Sequence, residues 1–406
     1  MQDDLIRKGA VRQIAYNPLQ TLQHQTNGNP AIIAGALARS ALLFEVDLTP
    51  KPGLVDAENN GSHPDLSREL FYLSAEALEP YFIQYWQIGA DKPLPAIFPA
   101  LRSLGLEAEA EMFAATGGRN THKGVHFCLG LVLAAAGYLY YQTDWQVKRT
   151  SDKEQAVEKE RLGAKRQIDE KKYPDDDGQM LKATAKAQEY PALITEKQLP
   201  KNSAAELQLK HLGLTPEVQM SETTTVEQKL RLIELAAELL SFVPRICGDL
   251  IAADLSDPAG KYQATAGAES FRRYGTGGIR AEVSSGFPSI TKYGLHMLKA
   301  YVCRQPTFNA TSTELLSDRK LALDYLMTLI TKVEDTTLIK RGGLAGLRYA
   351  QSAATDYLRY HAHSNSWETA LRRLDADFQV QNLSPGGAAD LLAVTYFTLS
   401  LIIETI

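Results

Sequence analysis

The chain has 406 residues, 44% of them apolar, enough for one large globular domain with a sizeable core or for two ordinary ones. A net charge of −5 offers no basic surface to DNA or to an anionic membrane, so the reading carries no nucleic-acid and no membrane partner. The three cysteines, Cys128, Cys247 and Cys303, are far apart and each lies among apolar residues, which excludes a CxxC metal or redox motif and predicts buried thiols in a reducing, cytoplasmic compartment.

Residues 1–30 read as an N-terminal extension; the opening Met1-Gln2-Asp3-Asp4 is acidic and lacks the apolar run of a signal peptide. Ala31–Glu45 is an Ala/Leu-rich helix. In the next one, Leu70–Tyr85, the spacing sets Leu70, Leu73, Ala77 and Tyr81 on one face. Val125–Tyr141 holds no Lys, Arg, Asp or Glu and approaches the length of a membrane span, but His126 and its tyrosines interrupt it, and a buried core helix is expected. Residues 143–220 open on a dense mixed-charge tract without apolar periodicity, a solvated helix or a flexible insertion. Helical spacing returns at Val226, Leu230, Ile233, Ala236 and Leu240, then at Leu315–Ile330, Trp367–Phe378 and the apolar run Leu391–Ile403. Strand-like alternation is scarce. The expectation is an all-α fold: a single large multi-helix domain with buried central helices, built from 31–142 and 221–406 and interrupted by a charged, partly helical insertion at 143–220.

Chemistry concentrates in the loops between these helices. Thr49-Pro50-Lys51-Pro52-Gly53-Leu54-Val55-Asp56, followed by His63-Pro64-Asp65, cannot be helical, because each proline lacks an N–H and disfavours the helical region for its predecessor. Thr116-Gly117-Gly118-Arg119-Asn120-Thr121-His122-Lys123 puts glycines and capping residues before a helix, a place where free backbone N–H groups can meet an anion, although the spacing is not that of a Walker loop. A third segment carries Gly275, Gly277, Gly278, Arg280 and Glu282; a smaller one runs from Glu334-Asp335 to Lys340-Arg341; a fourth, Ser384-Pro385-Gly386-Gly387 to Asp390, caps the last helix. His122 and His126, four apart, could share a helix face, but no HExxH surrounds them and zinc is not expected. His361 and His363 read as surface residues. Glycine-rich loops with Lys and Arg point to a polyphosphate ligand, and the carboxylates on the same loops to Mg²⁺ chelated with it.

These segments resemble the triphosphoribosyl-dephospho-CoA synthase family, through TPKPGLVD with NNGSHPD, ATGGRNTHKG, AGAESFRRYGTGGIRAEVSSGFP, EDTTLIKRGG and SPGGAADLLAVTYF. The resemblance runs from about Glu45 to the C-terminus and leaves out the charged segment; it departs at Ala281, where the family usually has glycine. It implies a pentosyltransferase for which ATP is a substrate: the 2′-hydroxyl of 3′-dephospho-CoA attacks C1′ of the ATP ribose, adenine leaves, and the triphosphate is kept. The product would pass to the transferase that loads citrate lyase, with malonate decarboxylase as the alternative branch. A nucleotide hydrolase and a non-catalytic dephospho-CoA-binding protein remain as rival readings. For this reaction Asp56, Asp65 and Glu282 are the expected catalytic carboxylates, and Asp56, Asp65 and Asp390 the expected Mg²⁺ ligands. Lys51, Gly53, His63, Gly117, Gly118, Asn120, His122, Lys123, Arg280, Arg341, Ser384, Gly386 and Gly387 are the expected substrate contacts.

Overall fold

The computed structural model describes residues 29–141, 226–256, 266–304 and 318–405. The N-terminal extension up to residue 28 and the charged segment 143–220 lie outside the described residues. Among the described residues the regular structure is helical and no strand occurs, so the chain is all-α.

Helix α1 (Pro30–Asp47) starts where the Asn29 side chain accepts the Ala31 N–H at 3.0 Å and Pro30 takes the first position, where its missing N–H costs nothing. Helix α2 (Arg68–Asp91) packs along α1, and α3 (Leu94–Ala115) packs on α2. The buried face of α2 is Ser74, Ala75, Leu78, Phe82, Tyr85, Trp86 and Gly89, not the stripe Leu70, Leu73, Ala77 and Tyr81; Leu73 is in fact exposed. The expected face traced apolar residues alone and passed over Ser74 and Gly89, the small residues that allow close contact. Helix α4 (Lys123–Tyr141) runs so near α2 that a Cβ on Gly89 would collide with the Ala134 carbonyl, and one on Gly137 with the Trp86 carbonyl.

The second half supplies α5 (Val226–Phe242), α6 (Pro244–Ser256), α7 (Ala266–Tyr274), α8 (Gly278–Ser284), α9 (Leu295–Arg304), α10 (Arg319–Ile330), α11 (Thr336–Asp356), α12 (Trp367–Val380) and α13 (Gly386–Thr405). Helix α13 is the centre of the packing, meeting α1, α5, α10 and α11. Phe44 stacks on Tyr396 at 4.0 Å between ring centres, and the Tyr325 hydroxyl lies 2.9 Å from Thr395 Oγ1. By length and composition α4 and α13 could each cross a bilayer, but most of each is buried inside the fold, as in a core helix. The described residues up to Tyr138 and those from Val226 to Thr405 form one compact unit; Leu139–Tyr141, the end of α4, fall outside it.

Cys128 and Cys247 are buried as expected, but Cys303 is exposed. Leu295, Leu298 and Val302 form the inner face of α9, and the residue after Val302 is turned about 100° away from it.

Candidate functional site

The loops gather at one cavity of ≈ 1270 Å³ inside that compact unit. Its wall includes Lys51, His63, Asp65, Asn120, His122, Lys123, Arg280, Arg341, Ser384, Gly386, Gly387 and Asp390 of the expected site, whereas Gly53, Asp56, Gly117, Gly118 and Glu282 do not line it.

Lys51 sits at the base of the opening loop with 1% of its surface exposed. Its ammonium donates to the Glu45 carbonyl at 2.6 Å and to Glu45 Oε1 at 2.5 Å, a buried ion pair that ties the loop to α1. Asp56 faces its own loop: Oδ2 accepts the Lys51 N–H at 2.8 Å, while Oδ1 accepts those of Glu58 at 2.7 Å and Asn59 at 3.0 Å. The carboxylate is thus committed to three backbone donors. Gly53, at φ +69°, donates its N–H to Asp375 Oδ1 at 2.8 Å and lies against the Leu383 carbonyl, where a side chain has no room.

His63 joins this loop to the start of α11 and α13. Arg341 donates from its second guanidinium nitrogen to His63 Nδ1 at 2.9 Å; because arginine has only donors, Nδ1 accepts, and the ring proton sits on Nε2, which donates to Ser384 Oγ at 2.8 Å. Arg341 also donates to the Ser62 carbonyl at 2.8 Å and to Asn382 Oδ1 at 2.5 Å. Burial, helped by the Arg341 charge and opposed by Asp65, lowers the His63 pKa to about 4, so the ring is neutral at pH 7.

The N-termini of α4, α11 and α13 open onto this cavity. Asp335, buried and capping α11, accepts from Thr337 N–H at 2.8 Å and Leu338 N–H at 3.2 Å, and its other oxygen accepts Ala388 N–H of α13 at 3.1 Å. One carboxylate therefore aligns two helix ends, and Gly387 allows the approach. Burial raises the Asp335 pKa in spite of the backbone donors. Asp390, one turn into α13, lies so close to Gly124 that any side chain there would strike its Oδ2. Burial, then the charges of Asp335 and Glu45, push the Asp390 carboxyl well above the usual range. Lys340 and Arg341, one turn into α11, add positive charge at the same wall. Backbone donors, helix dipoles and cations on the wall of one cavity form a site for a polyanion.

The paired glycines of the second loop end α3 instead of cradling a ligand: at φ +62° and +83°, Gly117 and Gly118 are exposed, and the Gly118 N–H returns to the Phe113 carbonyl at 2.7 Å. Asn120 Oδ1 accepts the Lys123 N–H at 3.3 Å, and Lys123 pairs with Glu109. His122 Nδ1 lies 2.7 Å from Ser74 Oγ; burial foremost, then the His126 and Lys51 charges, lower its pKa to about 3, and burial, with the Lys123 charge, takes that of His126 to about 4. In the third loop Glu282 holds the segment after α8, accepting from Ser289 N–H at 3.0 Å and Ser289 O–H at 2.5 Å. The Ala281 methyl lies against Gly277, where a second Cβ would not fit.

The sequence reading singled out the segment that holds Asp335 but gave that residue no site role, and it missed Glu45 and the pair Arg102–Asp254 as parts of this wall. Asp335 carried a signal, an Asp followed by Thr-Thr before a helical run, which is a capping pattern. Glu45 and Arg102 carried none, since each lies within a helix whose neighbours give no hint of the cavity.

A family model for ATP:dephospho-CoA triphosphoribosyl transferase matches residues 33–193 and 200–405. It therefore runs through most of the 143–220 segment, which the motifs alone left out of the resemblance. Curated relatives include a 2-(5''-triphosphoribosyl)-3'-dephosphocoenzyme-A synthase of Haemophilus ducreyi, 31% identical over 373 residues, which covers 90% of this chain and 87% of the relative. Proteins named probable synthases of the same kind occur in Streptococcus mutans, at 30% identity over 89% of this chain and 93% of the relative, and in Vibrio cholerae serotype O1 (strain M66-2), at 29% over 91% and 88%. No solved structure matches.

Proposed function

We infer the reaction from one premise: the chain belongs to the ATP:dephospho-CoA triphosphoribosyl transferase family and is a transferase of that kind. The 2′-oxygen of 3′-dephospho-CoA bonds to C1′ of the ATP ribose, the C1′–N9 bond breaks, and its electron pair leaves with adenine. The hydroxyl gives its proton to a base on the enzyme, and adenine gains one proton as it leaves, so that over the turnover the proton count balances. The triphosphate stays on the transferred ribose, so the groups that bind it anchor a substrate rather than activate a leaving group.

The observation that carries this reading is a large cavity whose wall is part cationic and part apolar. At ≈ 1270 Å³ it exceeds the roughly 300–1,000 Å³ of an ordinary single-ligand pocket. Its wall presents the N-termini of α11 and α13 with Lys340 and Arg341, suited to the triphosphate, and it also includes Phe98, Leu101, Leu106, Phe127 and Ile251, suited to apolar parts of a second substrate.

Asp65 and Asp390 line the cavity with no hydrogen bond committed among the described residues. Among the described residues no group of three His, Cys, Asp or Glu side chains could hold a metal by itself. The fit to Mg²⁺ therefore rests on one or two carboxylates beside phosphate oxygens, a usual set for this ion, with Asp390 crowded by Asp335 and Glu45. Asp390, with Asp65 nearer the rim, would hold it, and when bound it would offset charge between carboxylate and triphosphate. Asp65, exposed and uncommitted, is our choice for accepting the hydroxyl proton. Asp56 and Glu282, spent on backbone and serine donors, keep the loops in shape in this reading. ATP as substrate and the buried free thiols Cys128 and Cys247 support a cytoplasmic setting. The product's destination is taken to be citrate lyase, with malonate decarboxylase as the alternative.

The test is product analysis with ATP, Mg²⁺ and 3′-dephospho-CoA. Adenine should appear in step with a product heavier by one triphosphoribosyl unit. ADP or AMP without adenine would overturn the reading, and adenine with free ribose triphosphate would make the protein a hydrolase. Offering the product to loading transferases and acyl carriers of the two lyase systems then decides the branch.

A further inference from the structure

His122 stands just before α4, lines the cavity and is only 3% exposed. Its Nδ1 is 2.7 Å from Ser74 Oγ, and Thr121 Oγ1 donates to that same serine oxygen at 2.7 Å. With Thr121 supplying one proton to the serine, the hydrogen of Ser74 is free to point at the ring. Nδ1 then accepts, and the imidazole proton is fixed on Nε2. Nε2 is buried and has no hydrogen-bond partner. A buried donor left unmatched costs free energy and is rare in folded proteins, and because His122 lines the cavity, a ligand seated there could complete the contact.

The surroundings favour a flat, uncharged ring acceptor over a phosphate. Phe71 meets His122 edge-on at 5.0 Å, and the Tyr85 hydroxyl reaches His126 Nδ1 at 3.5 Å, so this part of the wall is aromatic. The two lysine charges nearby are already matched, Lys51 by Glu45 and Lys123 by Glu109, whereas Lys340 lines the cavity from α11 with no ion pair among the described residues. Burial also keeps the imidazole neutral, with a pKa of about 3, so it acts as an N–H donor and not as an imidazolium.

We propose that His122 Nε2–H donates to a ring nitrogen of the departing adenine, N3 or N7, and that Ser74 and Thr121 are positioning residues that fix its tautomer. The inference rests on the pentosyl-transfer reading and deepens it. As O2′ bonds to C1′ and the C1′–N9 pair passes into the base, negative charge spreads to N3 and N7. The contact strengthens as that charge grows, while His122 keeps its own proton. An interaction stronger in the transition state than in the bound substrate is the kind that raises kcat.

The test compares ATP with its 3-deaza and 7-deaza analogues, each lacking one ring acceptor, in wild type, His122→Asn, His122→Gln and Ser74→Ala, with base release as the readout. In wild type one analogue should lower kcat about a hundredfold, the scale of losing one preorganised donor. His122→Asn, too short to reach, should lose about as much on ATP and nothing further on that analogue. His122→Gln, whose amide nitrogen stands near the place of Nε2, should recover part of the rate, and Ser74→Ala should fall between. An unchanged KM for dephospho-CoA reports that the variants keep the site. Wild-type indifference to both analogues, or equal analogue losses in wild type and His122→Asn, overturns the role of His122 while adenine release from ATP stands. Discrimination unchanged in Ser74→Ala overturns the positioning role. No adenine release by wild type would overturn the pentosyl-transfer reading itself, and this inference with it.

Discussion

Replacing Lys51 by methionine should damage the fold before it damages binding. The side chain is 1% exposed and its ammonium lies 2.5 Å from Glu45 Oε1, so the substitution leaves a carboxylate buried without its partner. Breaking one side of a buried ion pair costs about 3–5 kcal/mol, whereas a lost contact to a bound phosphate would cost roughly 1.5–3 kcal/mol and only in the presence of ligand. Against a total stability of about 5–15 kcal/mol the first loss is large, and it should appear in the apo protein as a lower denaturant midpoint. The double variant Lys51→Met with Glu45→Gln removes both charges and should regain most of the loss, because the two substitutions share one interaction and do not add. Equilibrium denaturation of wild type, both single variants and the double variant measures that coupling. A Lys51→Met protein with a wild-type midpoint and weakened ATP affinity would refute the argument; it would make Lys51 a substrate contact and leave the loop indifferent to its charge.

Asp390→Asn should abolish turnover and yet raise stability at neutral pH. The carboxyl's folded pKa is raised, so the folded state binds more protons than the unfolded one between the ordinary and the raised value; stability falls as pH rises through that window, and asparagine removes the loss. Melting curves of both proteins across pH should converge below the ordinary carboxylate range, and a variant less stable than wild type at pH 7 would contradict this. Gly124→Ala forces a methyl against Asp390 Oδ2 and should cut adenine release at least tenfold, read beside a melting curve; normal turnover would detach Asp390 from the site. Asp335→Ala strips the caps from α11 and α13 together and should cost about 1–3 kcal/mol by denaturation while raising KM for ATP. Among the described cysteines a thiol reagent should modify exposed Cys303 quickly and leave Cys128 and Cys247 slow, since burial raises both of those pKa values; fast labelling of either would contradict the packing of α4 or α6.

The helical architecture was legible because 3.6-residue spacing survives at α5, α10 and α12 whatever their neighbours are. The inner face of α2 was not, because Ser74 and Gly89 are buried by what α4 and His122 bring to them, and no window along α2 contains that information. The loops were legible as loops from their prolines and glycines, and most of their polar residues do meet at one cavity. Which of those residues face inward was hidden. Asp56 and Asp65 are nine positions apart in one loop, with the same charge and the same turn-forming company, yet Asp56 turns to three backbone N–H groups and Asp65 to the cavity. Only the path of the chain decides that. Gly117 and Gly118 show the same ambiguity: a glycine pair before a helix is also a glycine pair after one, and here the end of α3 claims it.

Keeping the triphosphate has a kinetic consequence. A grip made by the ends of α11 and α13 with Lys340 and Arg341 would be the same in substrate, transition state and product, because the phosphates take no part in bond making. Such uniform binding lowers KM without raising kcat, and it holds the product as firmly as it held ATP. Acceleration must then come from the other side of the ribose, where charge changes during the reaction: at the hydroxyl that loses a proton, at C1′, and at the base that leaves. The buried, neutral His122 and the uncommitted carboxylates lie among the groups able to respond to that change. Variants at Lys340 should therefore alter KM for ATP and ease product inhibition with kcat little changed, whereas variants at His122 should alter kcat. Steady-state kinetics with added product separate the two patterns, and a Lys340→Ala enzyme that lost kcat with an unchanged KM would mean that the phosphate grip tightens during the chemical step.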